Sequence, residues 1–351
     1  MQTLGLTRLV LRDFRCFHSL VWEPREGLNF ILGPNAQGKT SILEAACMLL
    51  RLKSPRTSHL VEMVRFDQNA FVLEGDYGRR HLKYHATPHE EPKHRLMIDE
   101  VLQQGKSDYL STGRVVWFGN EDVALVHGAG ERRRKFLDSA GLQLGNEYGR
   151  ILRFYERALR SRNLLLREGR PRREIEAYDH PLAESGDKLI AARSLLCQEL
   201  VPRVAVAAKA ISGEDLGITY QPGASLLLLE ALVNSRQEEM RLRGTQVGPH
   251  RDDFLITLNG IPAGTFASEG QRRTIALALK LGLASFLNEK GGSPPLLLLD
   301  DIFGELDLAR RQALLLSIPQ GSQALFTTTH LQRETLPSDA TLFHLNEGKL
   351  N

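Results

Sequence analysis

Gly33-Pro34-Asn35-Ala36-Gln37-Gly38-Lys39-Thr40 is the stretch that decides the fold of this 351-residue chain. Its glycines leave room for a loop whose backbone N–H groups curl around a phosphate, because no side chain stands in the way. Lys39 adds a compact positive charge, and Thr40 offers a hydroxyl to a Mg²⁺ ion. The stretch therefore predicts a phosphate-binding loop, or P-loop.

The sequence on either side of the P-loop agrees with this prediction. Leu28–Leu32 is an apolar run typical of a buried strand, and residues 41–50 have the apolar density and the helix formers of a buried helix. The positive end of that helix would face the phosphates. Strand, loop and helix therefore follow one another in the order that a nucleotide site requires.

A strand ending in two carboxylates is predicted near the other end of the chain. Residues 296–299 are four leucines, and Asp300 and Asp301 follow them, which indicates a parallel strand covered on both faces. Asp300 could hold the Mg²⁺ shell, and Asp301 could orient or deprotonate an attacking water. A core strand with acidic turn residues explains the pair equally well in isolation, but a P-loop in the same chain favours the catalytic interpretation.

A third candidate element is Ser268-Glu269-Gly270-Gln271, which precedes an apolar helical segment at residues 272–287. Serine and glycine at a helix start can form a second phosphate cradle. Any helix N-cap can show the same four residue types, so the position of the segment shortly before the aspartate pair is what supports a functional interpretation. The candidate nucleotide site is thus split between the two ends of the chain.

Composition describes an ordinary globular protein. The chain is 42% hydrophobic and 25% charged, with a net charge of +3, so its length can accommodate two domains and its overall charge establishes no partner. Cys16, Cys47 and Cys197 form no CxxC pair, which argues against a disulfide framework or a zinc site. No apolar run is long enough for a signal peptide or a membrane span. We expect a cytoplasmic protein that does not bind membranes.

The character of the chain changes twice between the two halves of the candidate site. Short strand-like pieces at residues 59–118, including 70–73, 81–84 and 115–118, predict a small, partly antiparallel sheet. Residues 130–240 are rich in Leu, Ala, Arg and Glu with helical periodicity, above all at 148–166 and 181–211. After this helical region, a strand-like run at residues 254–258 marks a return to an α/β pattern.

We therefore predict an α/β fold with two domains. The larger has a mixed sheet and a P-loop core and is formed by residues 1–125 and 244–351. The smaller is a mainly helical arm inserted at residues 126–243.

The order of these motifs resembles the ABC-type ATPase heads of the SMC class. P-loop, Ser-x-Gly-Gln and Asp-ended strand are followed by Gly304-Glu305-Leu306-Asp307 and by Thr327-Thr328-Thr329-His330. Three segments resemble the RecF family of bacterial recombination mediators, at residues 35–40, 131–138 and 247–253, and the last two lie outside these shared elements. The resemblance covers nearly the whole chain.

The resemblance assigns roles to individual residues. Asn35, Gly38, Lys39 and Thr40, together with Gly33 in the same loop, would bind ATP and Mg²⁺. Asp300 would be the Walker B acid with Thr40 at the metal, and Asp301 would take the place of the catalytic carboxylate.

The remaining roles concern the edges of the site. Ser268, Gly270 and Gln271 would meet the γ-phosphate bound by a second subunit, and His330 would sense that phosphate. The segment Arg12-Asp13-Phe14-Arg15, from which we select Arg12, resembles the stretch that flanks the adenine in such heads, and Arg56 resembles an arginine that approaches the γ-phosphate or DNA.

The resemblance also implies partners and a process. It implies a slow, DNA-stimulated ATPase that dimerises on ATP and binds single-stranded, gapped or junction DNA. It further implies that RecR and RecO act with the protein to load RecA in DNA repair, with links to replication restart and to the SOS response.

The sequence departs from the pattern of the class at three places. Glu269 brings a carboxylate into the signature, where Coulomb repulsion from a nucleotide predicts that it points away. Asp301 is shorter than the glutamate of transporter ATPases, which predicts slow hydrolysis. The Q-loop glutamine has only weak substitutes in Asn120 and Glu121.

The DNA surface is predicted from local charge. Residues 131–173 contain 13 Lys or Arg against 5 Asp or Glu, an excess typical of a protein that binds the phosphate backbone. Arg150, Arg153, Arg157 and Arg160 share one face of a predicted helix. A solvated face with intrahelical ion pairs explains the same pattern, and the family resemblance favours DNA. His250 and Arg251 could serve a phosphate, an interface or merely a connecting turn.

Three other functions remain open at this level. An ATPase subunit of a membrane transporter would carry a glutamate after Asp300. A metabolic P-loop kinase would have no need for residues 268–271 and would bind nucleotide as a monomer. A head that does not hydrolyse ATP would keep its dimerisation when Asp301 is changed to Asn.

Overall fold

The computed structural model describes residues 5–224, 227–331 and 336–351, apart from the side chain of Glu305. The strands in these ranges are, in chain order, β1 (Leu6–Phe14), β2 (Phe17–Trp22), β3 (Leu28–Leu32), β4 (Phe71–Tyr77), β5 (Arg80–Ala86), β6 (His94–Ile98), β7 (Val101–Leu102), β8 (Val115–Phe118), β9 (Leu216–Gln221), β10 (Asp253–Leu258), β11 (Ile261–Pro262), β12 (Leu296–Asp300), β13 (Ala324–Thr328), β14 (Thr341–Asn346) and β15 (Lys349–Leu350). The α-helices are α1 (Lys39–Arg51), α2 (Ser107–Ser111), α3 (Ala124–His127), α4 (Gly130–Gly141), α5 (Asn146–Arg167), α6 (Arg172–Glu176), α7 (Asp179–Ser212), α8 (Leu228–Leu242), α9 (Ala263–Phe266), α10 (Glu269–Gly291) and α11 (Leu308–Leu316).

The chain divides into two compact units. The first unit comprises the described residues of Met1–Asp122, Ala210–Ser212 and Leu283–Asn351, and the second unit those of Val123–Lys209 and Gly213–Gly282. Three residues separate the predicted start of the arm, residue 126, from the start of the second unit. The head was predicted to resume at residue 244, but the second unit continues to Gly282. It includes β10, which pairs with β9 and β11 in a sheet of that unit.

The first unit contains a mainly parallel sheet in the order β15-β14-β3-β13-β12-β8. Strand β12, next to the edge of this sheet, pairs in parallel with β13 on one side and with β8 on the other. Leu296, Leu297, Leu298 and Leu299 are all buried, as a strand covered on both faces requires. The prediction that residues 115–118 belong to the antiparallel sheet is wrong, since β8 is an edge strand of this parallel sheet.

A second sheet of the first unit is antiparallel, in the order β2-β1-β4-β5-β6-β7. It contains the predicted pieces near residues 70–73 and 81–84, and it also takes in the two strands at the start of the chain. Helix α1 packs against β1 and β4 of this sheet and against β12, β13 and β8 of the parallel one. That position buries nearly every residue of α1 and fixes the loop before it.

The second unit is mainly helical, and α5 and α7 confirm the helices predicted at residues 148–166 and 181–211. Tyr148, Tyr155 and Leu166 are buried on α5, at the helical spacing of a face that packs against other elements. The fold is therefore mixed α/β with helical content, as predicted. No helix within the described ranges has the length and the apolar character that crossing a bilayer requires.

Candidate nucleotide-binding site

The P-loop follows β3 and encloses a cavity in the first unit. The cavity has a volume of about 490 Å³. Its walls include Asn35, Gly38, Lys39, Thr40, Arg56 and Asp301, which were predicted as site residues, and also Arg15 and Thr327, which were not. Parts of the chain that are far apart in sequence thus meet around one space.

Two glycines are required by the shape of the loop. Gly38 has φ of 96°, and a Cβ there would lie 2.6 Å from Sγ of Cys16 and 2.7 Å from the ring of Phe17. At Gly33, a Cβ would lie 2.4 Å from the backbone oxygen of Leu345. These distances are shorter than any carbon contact allows, so no residue with a side chain fits either position without moving its neighbours.

Lys39 begins α1 and closes the loop on itself. Its Nζ donates to the backbone oxygens of Gly33 at 2.7 Å and Pro34 at 2.8 Å. Burial lowers the pKa of Lys39, while the charges of Asp301 and Asp300 act in the opposite direction. The ammonium group therefore lies at the loop with two carboxylates close enough to affect its titration.

Asp300 joins the P-loop helix to the parallel sheet. Its Oδ1 accepts a hydrogen bond from the Thr40 hydroxyl at 2.9 Å and another from the Thr327 hydroxyl at 2.7 Å. Burial raises the pKa of Asp300 above its ordinary value, although both hydrogen bonds lower it. A hydroxyl and a half-buried carboxylate thus meet beside Lys39, and hard oxygen donors of this kind suit Mg²⁺.

Asp301 turns the chain into the cavity. Its φ is 53°, a left-handed conformation that aspartate tolerates better than most residues. Its backbone N–H donates to the Thr327 hydroxyl at 2.9 Å. Thr327 therefore fixes both aspartates. This role was not predicted, because only His330 of the segment 327–330 was assigned a function from the sequence.

A buried carboxylate organises the rim of the cavity. Glu44, on α1, is fully buried, and its two carboxylate oxygens accept from Arg15 at 2.9 and 2.6 Å. It also accepts from Ser54 at 2.5 Å and from Arg56 at 3.4 Å. Glu44 therefore holds two arginines against one side of the P-loop helix.

The structure favours Arg15 over the predicted Arg12 as the cavity residue. Arg12 lies on β1, its side chain is 58% exposed, and it forms a 3.9 Å ion pair with Glu74. The end of β1 explains the difference. Arg12 lies on the strand, whereas Arg15 follows its last residue, Phe14, and belongs to the cavity wall. The arginine-rich segment was visible in the sequence, but not which of its members faces the site.

The predicted signature begins α10 in the second unit. The Ser268 hydroxyl accepts from the Gln271 N–H at 3.3 Å, and the Gln271 side chain accepts from the Ser268 N–H at 3.0 Å. This is a reciprocal helix cap. Ser268, Glu269 and Gly270 are exposed, so the signature is both a helix cap and an accessible surface. None of its residues is among those that line the cavity of the first unit.

His330, Asn120 and Glu121 are not among the residues that line the cavity. His330 is exposed, and its backbone oxygen accepts from the Thr328 hydroxyl at 3.0 Å; residues 332–335 lie outside the described ranges. Asn120 and Glu121 begin a 3₁₀ turn after β8. Desolvation, together with the charges of Asp122 and Asp300, raises the pKa of Glu121.

The basic excess of the arm is partly structural. Arg133 donates to both carboxylate oxygens of Asp253, and Arg134 donates to the backbone oxygen of Asp252. Arg162 is fully buried and pairs with Asp179 and Glu239. These cations hold the second unit together, so the charge count of residues 131–173 overstates what is available to DNA.

The two RecF-like blocks of the second unit bind each other through such contacts. Arg193 donates to Asp138 of the first block and to Asp252 of the second. His250 forms a 2.7 Å hydrogen bond with the Tyr155 hydroxyl and a 2.9 Å hydrogen bond with the Thr245 oxygen. His250 is therefore part of the internal packing. Arg251 hydrogen-bonds to Gln246 at 2.9 Å.

The predicted arginine row remains on the surface. Arg150, Arg153, Arg157 and Arg160 are all exposed on α5, and Tyr155 and Ala158 are buried on its other side. Arg160 forms a 3.6 Å ion pair with Glu156. The row is thus accessible, with one of its members partly neutralised.

A P-loop helix whose threonine meets the terminal aspartate of a buried parallel strand, in a chain that also contains an antiparallel sheet and a helical unit, defines an ATPase head of the ABC and SMC class. The family model described as "RecF/RecN/SMC N terminal domain" matches residues 5–347. Solved SMC heads share the fold; one from a complex with the C-winged helix domain of ScpA has a TM-score of 0.58 at 13% identity over 99% of this chain and 96% of that one.

RecF proteins are much more similar. "DNA replication and repair protein RecF" of Moorella thermoacetica is 37% identical over 94% of this chain and 91% of its own length. The protein of the same name from Lactococcus lactis is 32% identical over 99% of each chain. The structure of "the recombination mediator protein RecF-ATP in RecFOR pathway" has a TM-score of 0.90 at 30% identity, and the match covers 100% of this chain and 98% of that one. This chain belongs to the RecF family.

Proposed function

We propose that this protein is an ATP-controlled DNA clamp that acts in DNA replication and repair. The observation that carries the proposal is the meeting of Lys39, Thr40, Asp300 and Asp301 at one cavity, in a chain that matches a RecF-ATP structure from end to end. ATP binding closes two copies on each other, and hydrolysis separates them. The role of ATP hydrolysis in this proposal is therefore to switch the protein between dimer and monomer.

The cavity residues have distinct tasks in this proposal. The P-loop backbone and Lys39 bind the phosphates of ATP, and Thr40 and Asp300 hold Mg²⁺. The bound cation would neutralise phosphate charge as it develops during hydrolysis. Asp301 orients the attacking water, and its short side chain supports a slow reaction.

Assembly uses the signature. Ser268, Gly270 and Gln271 start a long helix, where exposed N–H groups and the helix dipole favour an anion. We assign them to the γ-phosphate held by a second copy of the chain. The exposure of Ser268 and Gly270 supports this assignment. Dimerisation then requires ATP, since the γ-phosphate links the two copies.

DNA binds to the exposed arginine row of α5. Arginine side chains that contact phosphates give affinity without reading the sequence of the bases. The substrates in this proposal are single-stranded, gapped or junction DNA. The names of the relatives support a role in DNA replication and repair, and one of them mentions the RecFOR pathway. Our proposal adds RecO and RecR as partners in loading RecA, and a contribution to the SOS response.

The proposal is tested by static light scattering of the full chain, with and without Mg²⁺-ATP and a gapped duplex. The mass should double with ATP, and the gapped DNA should stabilise the doubled species. The Lys39→Met variant should neither bind labelled ATP nor dimerise. Lys188→Met, at an exposed lysine paired with Glu184, is the matched control and should behave like the wild type. A protein that is saturated with ATP yet stays monomeric, with and without DNA, would contradict the clamp.

A further inference from the structure

An exposed aromatic ring lies beside the arginine row of α5. Phe154 is 61% exposed, although burial of such a ring is worth about 2 kcal/mol. Arg150 precedes it by four residues and Arg157 follows it by three, so both are its direct neighbours on the helix surface. The ring therefore lies at the edge of the arginine row.

Helix α5 is fixed from its opposite side. The Tyr148 hydroxyl hydrogen-bonds to Asp138 at 2.5 Å, and the Tyr155 hydroxyl to His250 at 2.7 Å. Further along, the buried Arg162 pairs with Asp179 and Glu239. Because these contacts hold the helix, Phe154 keeps its place on the surface, and a ligand that covers it pays little to order it.

We propose that Phe154 stacks on an unpaired base of single-stranded DNA while Arg150 and Arg157 bind the phosphates on either side of that base. This inference rests on the proposed function and gives α5 a preference for DNA with unpaired bases. The charge of the row selects a polyanion, and the ring adds a contact that the bases of an intact duplex cannot make, since they are already stacked on each other. Every base has a flat face, so the contact is independent of sequence.

The experiment compares wild type with Phe154→Ala on three fluorescent DNAs of equal length: a single strand, a blunt duplex and a gapped duplex. Fluorescence anisotropy at several salt concentrations gives the dissociation constants. Phe154→Ala should weaken binding of the single strand and of the gapped duplex by about tenfold and leave the blunt duplex within about twofold. The salt slope should not change, because the ring contacts no phosphate.

Three further variants keep the test specific. Phe154→Trp should restore the preference, since an indole also stacks on bases. Leu195→Ala removes an apolar side chain of α7 with similar exposure, 60%, and should change nothing. Changing Arg150, Arg153 and Arg157 together to Ala should weaken the binding of all three DNAs and reduce the salt slope.

The outcomes separate this inference from the function on which it rests. Equal losses on all three DNAs, or no loss on any, in the Phe154→Ala variant would overturn the stacking contact. If the triple arginine variant also bound every DNA as the wild type does, the DNA surface itself would lie elsewhere. Unchanged thermal unfolding of Phe154→Ala confirms that the comparison concerns the folded protein.

Discussion

The hydroxyl of Thr40 donates a 2.9 Å hydrogen bond to Oδ1 of Asp300, 260 residues further along the chain. The two residues lie at the first turn of α1 and at the end of β12, which packs against that helix. The pair therefore places the carboxylate that we propose as a Mg²⁺ ligand next to the P-loop.

The first prediction concerns pH. The pKa of Asp300 is raised by burial, and only its deprotonated form binds Mg²⁺ well. Mg²⁺-dependent ATP binding should therefore weaken as the pH falls through this raised pKa, at a higher pH than for an ordinary aspartate. Equilibrium binding of labelled ATP with and without Mg²⁺ measures the effect, and Asp300→Asn should remove the metal-dependent part. Equal pH dependence in Asp300→Asn would assign the titration to another group.

The second prediction uses a pair of glycines. Gly38→Ala places a methyl group 2.6 Å from Cys16 Sγ at a φ of 96°, whereas Gly27→Ala has a φ of 73° and open space around it. Both changes carry a conformational cost of about 1–2 kcal/mol, but only Gly38→Ala also meets a steric clash. Gly38→Ala should abolish ATP binding, and Gly27→Ala should preserve it with a modest loss of unfolding free energy in urea. Normal ATP affinity in Gly38→Ala would show that the loop tolerates a wider shape.

The third prediction concerns the rim. Removing the charge of the buried Glu44 leaves Arg15 and Arg56 without their shared acceptor, so Glu44→Gln should lower the free energy of unfolding by about 3 kcal/mol. It should also weaken ATP binding, because both arginines lose fixed positions on the cavity wall. Glu23→Gln is the control, since Glu23 is exposed and is not among the residues that line the cavity. A Glu44→Gln protein as stable as this control would contradict the organising role of Glu44.

The fourth prediction separates nucleotide binding from assembly. Ser268→Arg should leave the affinity of one copy for ATP unchanged, because Ser268 is not part of the cavity wall. It should block ATP-dependent dimerisation in light scattering, since the long arginine side chain would occupy the place of the γ-phosphate. Thr265→Arg, at another exposed position shortly before the helix, controls for added bulk and charge. Dimerisation of Ser268→Arg equal to the wild type would exclude the signature from the interface.

The fifth prediction concerns salt. Removing one arginine that binds a phosphate of duplex DNA reduces the slope of log affinity against log salt by roughly 0.9. The combined Ala variant of Arg150, Arg153 and Arg157 should therefore have a slope smaller by about 2.7 if each arginine binds one phosphate. Arg160 shares its charge with Glu156 at 3.6 Å, and Arg160→Ala alone should have a smaller effect. An unchanged slope in the triple variant would move DNA to another surface.

The parts of the site that were predictable are those encoded by local pattern. The P-loop needs glycines, a lysine and a threonine within a few residues, and a strand buried on both faces needs an apolar run, so residues 33–40 and 296–301 could be recognised directly. The helices of the arm were visible for the same reason, because helical periodicity extends over many turns. Ser268 was recognised as a helix start, and it forms the predicted kind of cap.

Other features depend on which distant segments pair. β8 could join either sheet on its own pattern, and its parallel pairing with β12 decides the matter. The second boundary of the arm was misplaced because β10 resembles a head strand until its partner β9 is known. The charge count of residues 131–173 could not distinguish Arg133 and Arg162, which form internal ion pairs, from the exposed row on α5.

The sequence by itself determined the chemistry of this protein: a phosphate loop, a carboxylate strand and the family to which they belong. Only the tertiary structure decided that Arg15 lines the cavity, that Glu44 holds it there and that Thr327 fixes both aspartates. The physical reason is that short motifs bind their ligand through backbone geometry set by nearby residues. A buried charge or a hydroxyl bridge exists only when separate strands and helices pack together, and neither leaves a pattern along the chain.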